Sequence, residues 1–129
     1  MNANDNSKEK ILIVDDDEFL VDMYSVKFKE SGFDIEIAFS GAEALEKIRG
    51  GFSPSIVLLD IVMPVMDGFE FLANIKKEKL IPNAKIIILS NLGQKDDIDK
   101  GIALGACDYV VKAYFTPTEI VNKINLFCK

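Results

Sequence analysis

The chain contains no histidine. That absence removes Ser-His-Asp and Cys-His catalysis, histidine-ligated zinc and any phosphohistidine on this chain. Its two cysteines, Cys107 and Cys128, are too few for a thiolate zinc site and read as small buried or free thiols of a reducing compartment. No apolar run approaches the roughly 20 residues that a membrane span requires. The opening stretch from Met1 to Glu9 is polar and lacks the apolar centre of a signal peptide. Residues 1–9 are therefore expected to form a disordered lead-in, and the protein to be cytoplasmic. Basic residues are in deficit: 15 Lys and Arg against 21 Asp and Glu give a formal charge of −6. Direct nucleic-acid binding needs a basic footprint, so this balance argues against it. There is neither a repeat nor a linker. With 129 residues, 49 % hydrophobic and 28 % charged, the chain suits one domain around one core, residues 10–129. Chemistry here must run on carboxylates, lysine, hydroxyls or a hard metal ion.

What is present is a set of short apolar runs with polar ends. Lys10-Ile11-Leu12-Ile13-Val14 runs into Asp15-Asp16-Asp17. Ile56-Val57-Leu58-Leu59 ends on Asp60, Lys85-Ile86-Ile87-Ile88-Leu89 on Ser90, and Tyr109-Val110-Val111 on Lys112. If all are parallel strands of one sheet, their polar ends meet at one edge. That edge then gathers at least three carboxylates, a hydroxyl and an ammonium. Such a cluster repels itself unless a cation joins it, which points to a divalent metal beside a nucleophilic or phosphate-accepting aspartate.

Between the runs lie helix signals. Leu20, Met23, Tyr24 and Phe28 form one stripe from about Glu18 to Ser31, with Gly32 as a cap. Ile35-Glu36-Ile37 alternates as an exposed edge strand does. Ser40 and Glu43 make a capping box for a helix that buries Leu45 and Ile48 and stops at Gly50-Gly51. Asp67 caps a third helix carrying Phe71, Leu72 and Ile75, with Gly68 allowing the turn into it. A fourth helix, about 95–104, directs Ile98 and Ile102 inward. Thr116-Pro117-Thr118-Glu119 opens a fifth, with Ile120, Ile124 and Phe127 buried. Five βα units imply an α/β fold with helices on both faces of a parallel five-stranded sheet. In the flavodoxin-like order 2-1-3-4-5, the crevice falls between strands one and three, where Asp15–Asp17 and Asp60 lie.

Taken in order, Val14-Asp15-Asp16, Leu58-Leu59-Asp60 with Met63-Pro64 and Asp67-Gly68, Leu89-Ser90, Gly105-Ala106 with Asp108-Tyr109, and Lys112 resemble the receiver (CheY-like) domain of two-component response regulators. The resemblance implies that Asp60 is the phosphoacceptor, acting with Lys112 and Ser90. It implies a Mg²⁺ held by Asp16 and Asp60, by Asp15 mostly through water, and by the carbonyl of Val62. Ser90 would donate to the attached phosphoryl group, and Tyr109 would turn inward with it, changing the face made by helix four, strand five and helix five. Asp17 lies outside the motif and reads as solvated charge.

The implied function is a phosphorylation-activated response regulator in a two-component phosphorelay. It would catalyse only its own phosphorylation and dephosphorylation. The implied partners are a sensor histidine kinase or phosphotransfer protein as donor and a protein effector downstream, with the chain a monomer or a weak, phosphorylation-dependent homodimer. Because the fifth helix ends at Cys128-Lys129, a free-standing single domain is expected.

Three features depart from the family. Ala113, not proline, follows Lys112. Asn91 stands where a small residue is usual. Val62 and Leu92 are apolar where the hydrolytic water approaches. Alternatives are an aspartyl-nucleophile phosphatase, for which Asp15 and Asp17 offer the spacing but Phe19 replaces the expected threonine, an unphosphorylated receiver-like scaffold, and a flavin module, whose phosphate an acidic rim would repel.

Overall fold

The computed structural model describes residues 9–127, the side chain of Phe127 excepted. The proposed lead-in thus lies outside the described residues except for Glu9, whose carbonyl accepts the Asp34 N–H at 2.9 Å and so already belongs to the sheet margin. Cys128 and the Phe127 side chain also lie outside them.

Each apolar run becomes a strand: β1 (Lys10–Val14), β2 (Asp34–Ala38), β3 (Ile56–Leu59), β4 (Lys85–Ser90) and β5 (Asp108–Val111). They pair in parallel in the order β2-β1-β3-β4-β5. The helices between them are α1 (Glu18–Glu30), α2 (Gly41–Arg49), α3 (Gly68–Lys77), α4 (Lys95–Ala103) and α5 (Pro117–Phe127). Side chains alternate across a pleated strand, so the continuous runs feed two cores. Leu12, Val14, Val57, Leu59, Ile86 and Ile88 pack with α2 and α3. Ile11, Ile13, Ile56, Leu58, Ile87 and Leu89 pack with α1 and α5. β2 is an edge strand, and its half-buried middle explains its alternating sequence.

Helix starts follow local chemistry. Thr116 and Glu119 form a reciprocal box, Glu119 N–H to Thr116 Oγ1 at 3.1 Å and Thr116 N–H to Glu119 Oε1 at 2.8 Å. At α2, Ser40 Oγ accepts from Glu43 N–H as expected, but the Glu43 carboxylate reaches past Ser40 to the N–H of Phe39, at 2.8 Å. Asp17 is the N-cap of α1, accepting from Leu20 N–H at 3.2 Å, so it is a structural cap and not merely solvated charge. The buried stripe of α1 is Val21, Tyr24, Ser25 and Phe28, while Leu20 and Met23 are only half-buried.

Two glycines set how closely helices approach the sheet. A Cβ on Gly68 would lie 2.4 Å from the backbone oxygen of Asp60. Close approach, not turn conformation, is what requires glycine there. On α4, Gly101 is the buried residue, and a Cβ there would lie 2.4 Å from Ile88 Cδ1 and 3.1 Å from the Tyr109 ring. The helix therefore turns Gly101 to the sheet, and Ile102, expected inside, is 45 % exposed. Among the described residues, no helix is long and apolar enough to cross a membrane.

Gly68→Ala is expected to lower the unfolding free energy by about 2 kcal/mol, because backbone blocks the new methyl. Gly101→Ala should cost less, since the obstacle is mainly a side-chain tip and alanine favours helix. Urea denaturation of the two variants checks the order.

Candidate functional site

Strand pairing alone brings two aspartates side by side. β1 and β3 match Val14 with Leu59, and the ladder continues as Asp60 N–H donates to Val14 O at 2.9 Å and Asp15 N–H to Ala38 O at 3.1 Å. Asp15 and Asp60 are 3 % and 8 % exposed, Asp16 is exposed, and Ser90 is fully buried. Beneath the two buried carboxylates, Ile13, Val14, Tyr24, Leu58 and Leu89 form a floor with no room for a water molecule.

The Lys112 ammonium extends from the end of β5 and donates to Asp15 Oδ2 at 2.7 Å and Asp60 Oδ2 at 3.3 Å. The described residues include no cis peptide, so Lys112–Ala113 is trans. β5 passes instead into a 3₁₀ turn, Lys112–Tyr114, and the lysine still reaches both carboxylates. Proline is not needed to aim it.

The remaining carboxylate lone pairs are partly used by backbone. Asp15 Oδ1 accepts from Asp17 N–H at 3.0 Å, and Asp60 Oδ1 from Ile61 N–H at 2.7 Å. Burial raises the Asp60 carboxyl above the ordinary carboxylate range; the Lys112 charge opposes this, the Asp15 charge adds to it, and the Ile61 N–H restrains it. For Lys112, burial disfavours the charge, but the hydrogen bond to Asp15 and the charges of Asp60 and Asp15 prevail and hold its ammonium above the usual lysine range.

Asp15, Asp16 and Asp60 each offer a carboxylate oxygen, all within 4.8 Å of one another. Three carboxylates against one ammonium leave two negative charges in excess. A hard divalent cation matches both the charge and the all-oxygen donor set. Val62, two residues beyond Asp60, has an exposed side chain. Its loop is strained: Met66 N–H donates to Pro64 O at 2.7 Å around Val65, whose φ is 68°.

Ser90 and Tyr109 meet on one backbone unit that the sequence reading did not single out for this role. Leu92 N–H donates to Ser90 Oγ at 3.2 Å, while the Tyr109 hydroxyl donates to Leu92 O. The spacing of two residues after Ser90 allows the first bond, but only folding brings Tyr109 to the second. Asn91 is exposed and Leu92 half-buried. Phe115 packs against the α1–α5 core beneath Lys123, whose ammonium lies 5.2 Å from the ring centre.

Residues 11–125 match the response regulator receiver domain family. The chain belongs to that family. It is 37 % identical to the chemotaxis protein CheY of Thermotoga maritima over 122 residues, covering 94 % of this chain and 98 % of CheY. It is 38 % identical over 120 residues to the probable transcriptional regulator ycf27 of Pyropia yezoensis, covering 93 % of this chain and 47 % of that protein. The chain thus spans about half the length of several curated relatives it matches. Among solved structures, a CheY-like receiver domain protein from Methanospirillum hungatei superposes with a TM-score of 0.84 at 30 % identity, covering 94 % of each chain. The chain is a receiver domain of two-component signalling with the flavodoxin-like fold.

Because Asp60 holds its proton more tightly folded than unfolded, its contribution to stability is full below the ordinary carboxylate range. It is lost as pH rises through the raised value. In metal-free buffer, Asp60→Asn is therefore expected to be more stable than the parent at neutral pH, on the order of 1 kcal/mol. The gap should close in acid, and Asp16→Asn, being exposed, should change less. Urea unfolding across pH checks this; a neutral-pH loss in Asp60→Asn would mean that its contact with Lys112 outweighs its burial.

Proposed function

We propose that Asp60 accepts a phosphoryl group and that the chain acts as a phosphorylation-activated switch in a two-component relay. The observation that carries this reading is a buried Asp60 carboxylate at the sheet edge, joined to Lys112 and flanked by Asp15 and Asp16. An Asp60 oxygen attacks the phosphorus of a donor. The P–N bond of a phosphohistidine, or the P–O bond of a small acyl phosphate, breaks with its electron pair leaving on the donor. An aspartyl phosphate results. With no histidine of its own, the chain must take the group from elsewhere, from a sensor histidine kinase or phosphotransfer protein.

Asp15, Asp16 and Asp60, with the Val62 carbonyl, would hold Mg²⁺, which offsets the charge that builds between carboxylate and phosphoryl group. Lys112, bonded to Asp15 and Asp60 in the resting chain, is positioned to shift its donation from Asp60 to a phosphoryl oxygen. Ser90 turns its hydroxyl to another. Leu92 N–H then loses its partner, and the disturbance reaches Tyr109 through the Leu92 carbonyl. The face of α4, β5 and α5 carries this change to a protein effector. Phe19 in the first turn of α1, Val65 in the loop before α3 and Tyr114 in the 3₁₀ turn, 72 %, 101 % and 74 % exposed at the same sheet edge, supply apolar surface for docking the donor. Asp17 is committed to capping α1, which disfavours the phosphatase alternative, since that chemistry needs this second aspartate free.

Incubation with acetyl phosphate or phosphoramidate should add one phosphoryl mass. Asp60→Asn should remove the label and chelation of Mg²⁺ should suppress it; full labelling of Asp60→Asn, or indifference to chelation, would reject the assignment.

A second expectation concerns lifetime. Hydrolysis requires a water held in line with phosphorus. The exposed Val62 side chain and the half-buried Leu92 side chain can give it no hydrogen bond. The phosphoryl group should be lost slowly, and Val62→Asn or Leu92→Glu should speed the loss. Decay of the parent within seconds at neutral pH, or no effect of either change, contradicts this.

A further inference from the structure

At the end of the sheet opposite the aspartates, α3, the start of β4 and the end of α4 enclose an apolar groove of about 490 Å³. Its walls are Leu72, Ile75, Leu80, Ile86 and Leu104, with Lys76 and Lys79 on its rim. A volume of roughly 300–1,000 Å³ is that of small-molecule sites. Neither rim lysine forms an ion pair within the described residues.

The backbone here keeps a lysine at a position where three other helices are followed by glycine. α1, α2 and α4 are each followed by a glycine in the left-handed region, Gly32 at φ 95°, Gly51 at 110° and Gly105 at 111°. α3 places Lys79 there instead, at φ 56°, closing the turn as Lys79 N–H donates to Lys76 O at 3.2 Å and Leu80 N–H to Ile75 O at 3.0 Å. Glycine takes this conformation at no steric cost, and lysine does not. Two residues on, the β-branched Ile81 is held at φ 40°, a conformation such residues rarely adopt. Of the three positive-φ residues other than glycine among those described, two line this groove. Local strain of this kind persists where the surroundings impose it and clusters at ligand sites.

We propose that the α3–α4 groove binds a small amphipathic anion, a medium-chain carboxylate, with the chain along Leu72, Ile75 and Leu104 and the head between Lys76 and Lys79. The occupant is fixed by charge complementarity: an apolar trough with two unpaired cations at its mouth suits one anionic head on an apolar tail. Such a ligand would also pin the end of α4. That helix is lightly held, with Gly101 as its buried residue and no side-chain cap at its start. The site stands apart from Asp60, and its test does not require phosphorylation.

The test is a titration of the ¹⁵N-labelled unphosphorylated chain with decanoate, below its micelle range, with decanol as the neutral control. Saturable amide shifts are expected at Leu80, Ile81, Leu104 and Gly105, with decanol binding more weakly. The surface double variant Lys76→Glu/Lys79→Glu should weaken decanoate about tenfold, and Ala84→Phe should fill the groove and abolish binding. Lys79→Gly should raise the melting temperature yet weaken binding, which a residue serving only as a cap would not do. Absence of saturable shifts overturns the proposal. So do shifts spread over the whole chain, equal binding of decanol, or an unaffected double variant. Shifts at the groove that follow protein concentration alone would identify a second copy as the occupant and overturn it too.

Discussion

One ammonium group holds the working edge of the sheet together. Lys112 donates to Asp15 and Asp60 at once, over an apolar floor that admits no water. Removing the Lys112 ammonium would leave the buried carboxylates uncompensated, a loss of about 3–5 kcal/mol. The lysine thus ties the end of β5, an edge strand, to the ends of β1 and β3 across β4. It does not neutralise the cluster, and the excess negative charge is what makes the edge receptive to a divalent cation. The same unfinished charge balance underlies both this tie and the proposed phosphoryl transfer.

From this edge the structure offers one short route to its surface. Ser90 and Tyr109 share the two polar groups of Leu92. The Tyr109 ring lies beside Gly101, so α4 rests close to the sheet through a residue with no side chain. A helix seated this way loses little packing when it shifts. α3 is held differently: Phe69, Phe71, Leu72 and Ile75 are buried, and Arg49 of α2 pairs with Glu78 just beyond its end. The groove thus lies between α3, a helix that buries five residues, and α4, one that buries only Gly101.

Membership in the receiver family accounts for the arrangement of Asp15, Asp16, Asp60, Ser90 and Lys112, and the departures fall just outside that set. Ala113 in place of proline leaves the lysine contact intact through a trans bond and a 3₁₀ turn. Asn91, Val62 and Leu92 lie around the acidic cluster without altering it. Under the proposed phosphoryl transfer, these positions would set how long the group lasts, not whether it is accepted.

The sequence by itself determined the five βα units, the strand register of polar ends, and the caps at Ser40, Asp67 and Thr116. Those depend on hydrogen bonds and periodicities that span a few residues. It also marked Asp15, Asp16, Asp60, Ser90 and Lys112, because parallel strands must end together at one edge. Local pattern misleads at several positions: the acidic run masks the capping role of Asp17, and helical spacing alone points Ile102 inward although it is exposed. Only the tertiary structure decided that Gly68 and Gly101 serve close approach, that Lys112 reaches both aspartates without proline, and that Leu92 joins Ser90 to Tyr109. Each of these depends on distances between elements far apart in the chain, which packing sets and local pattern does not contain.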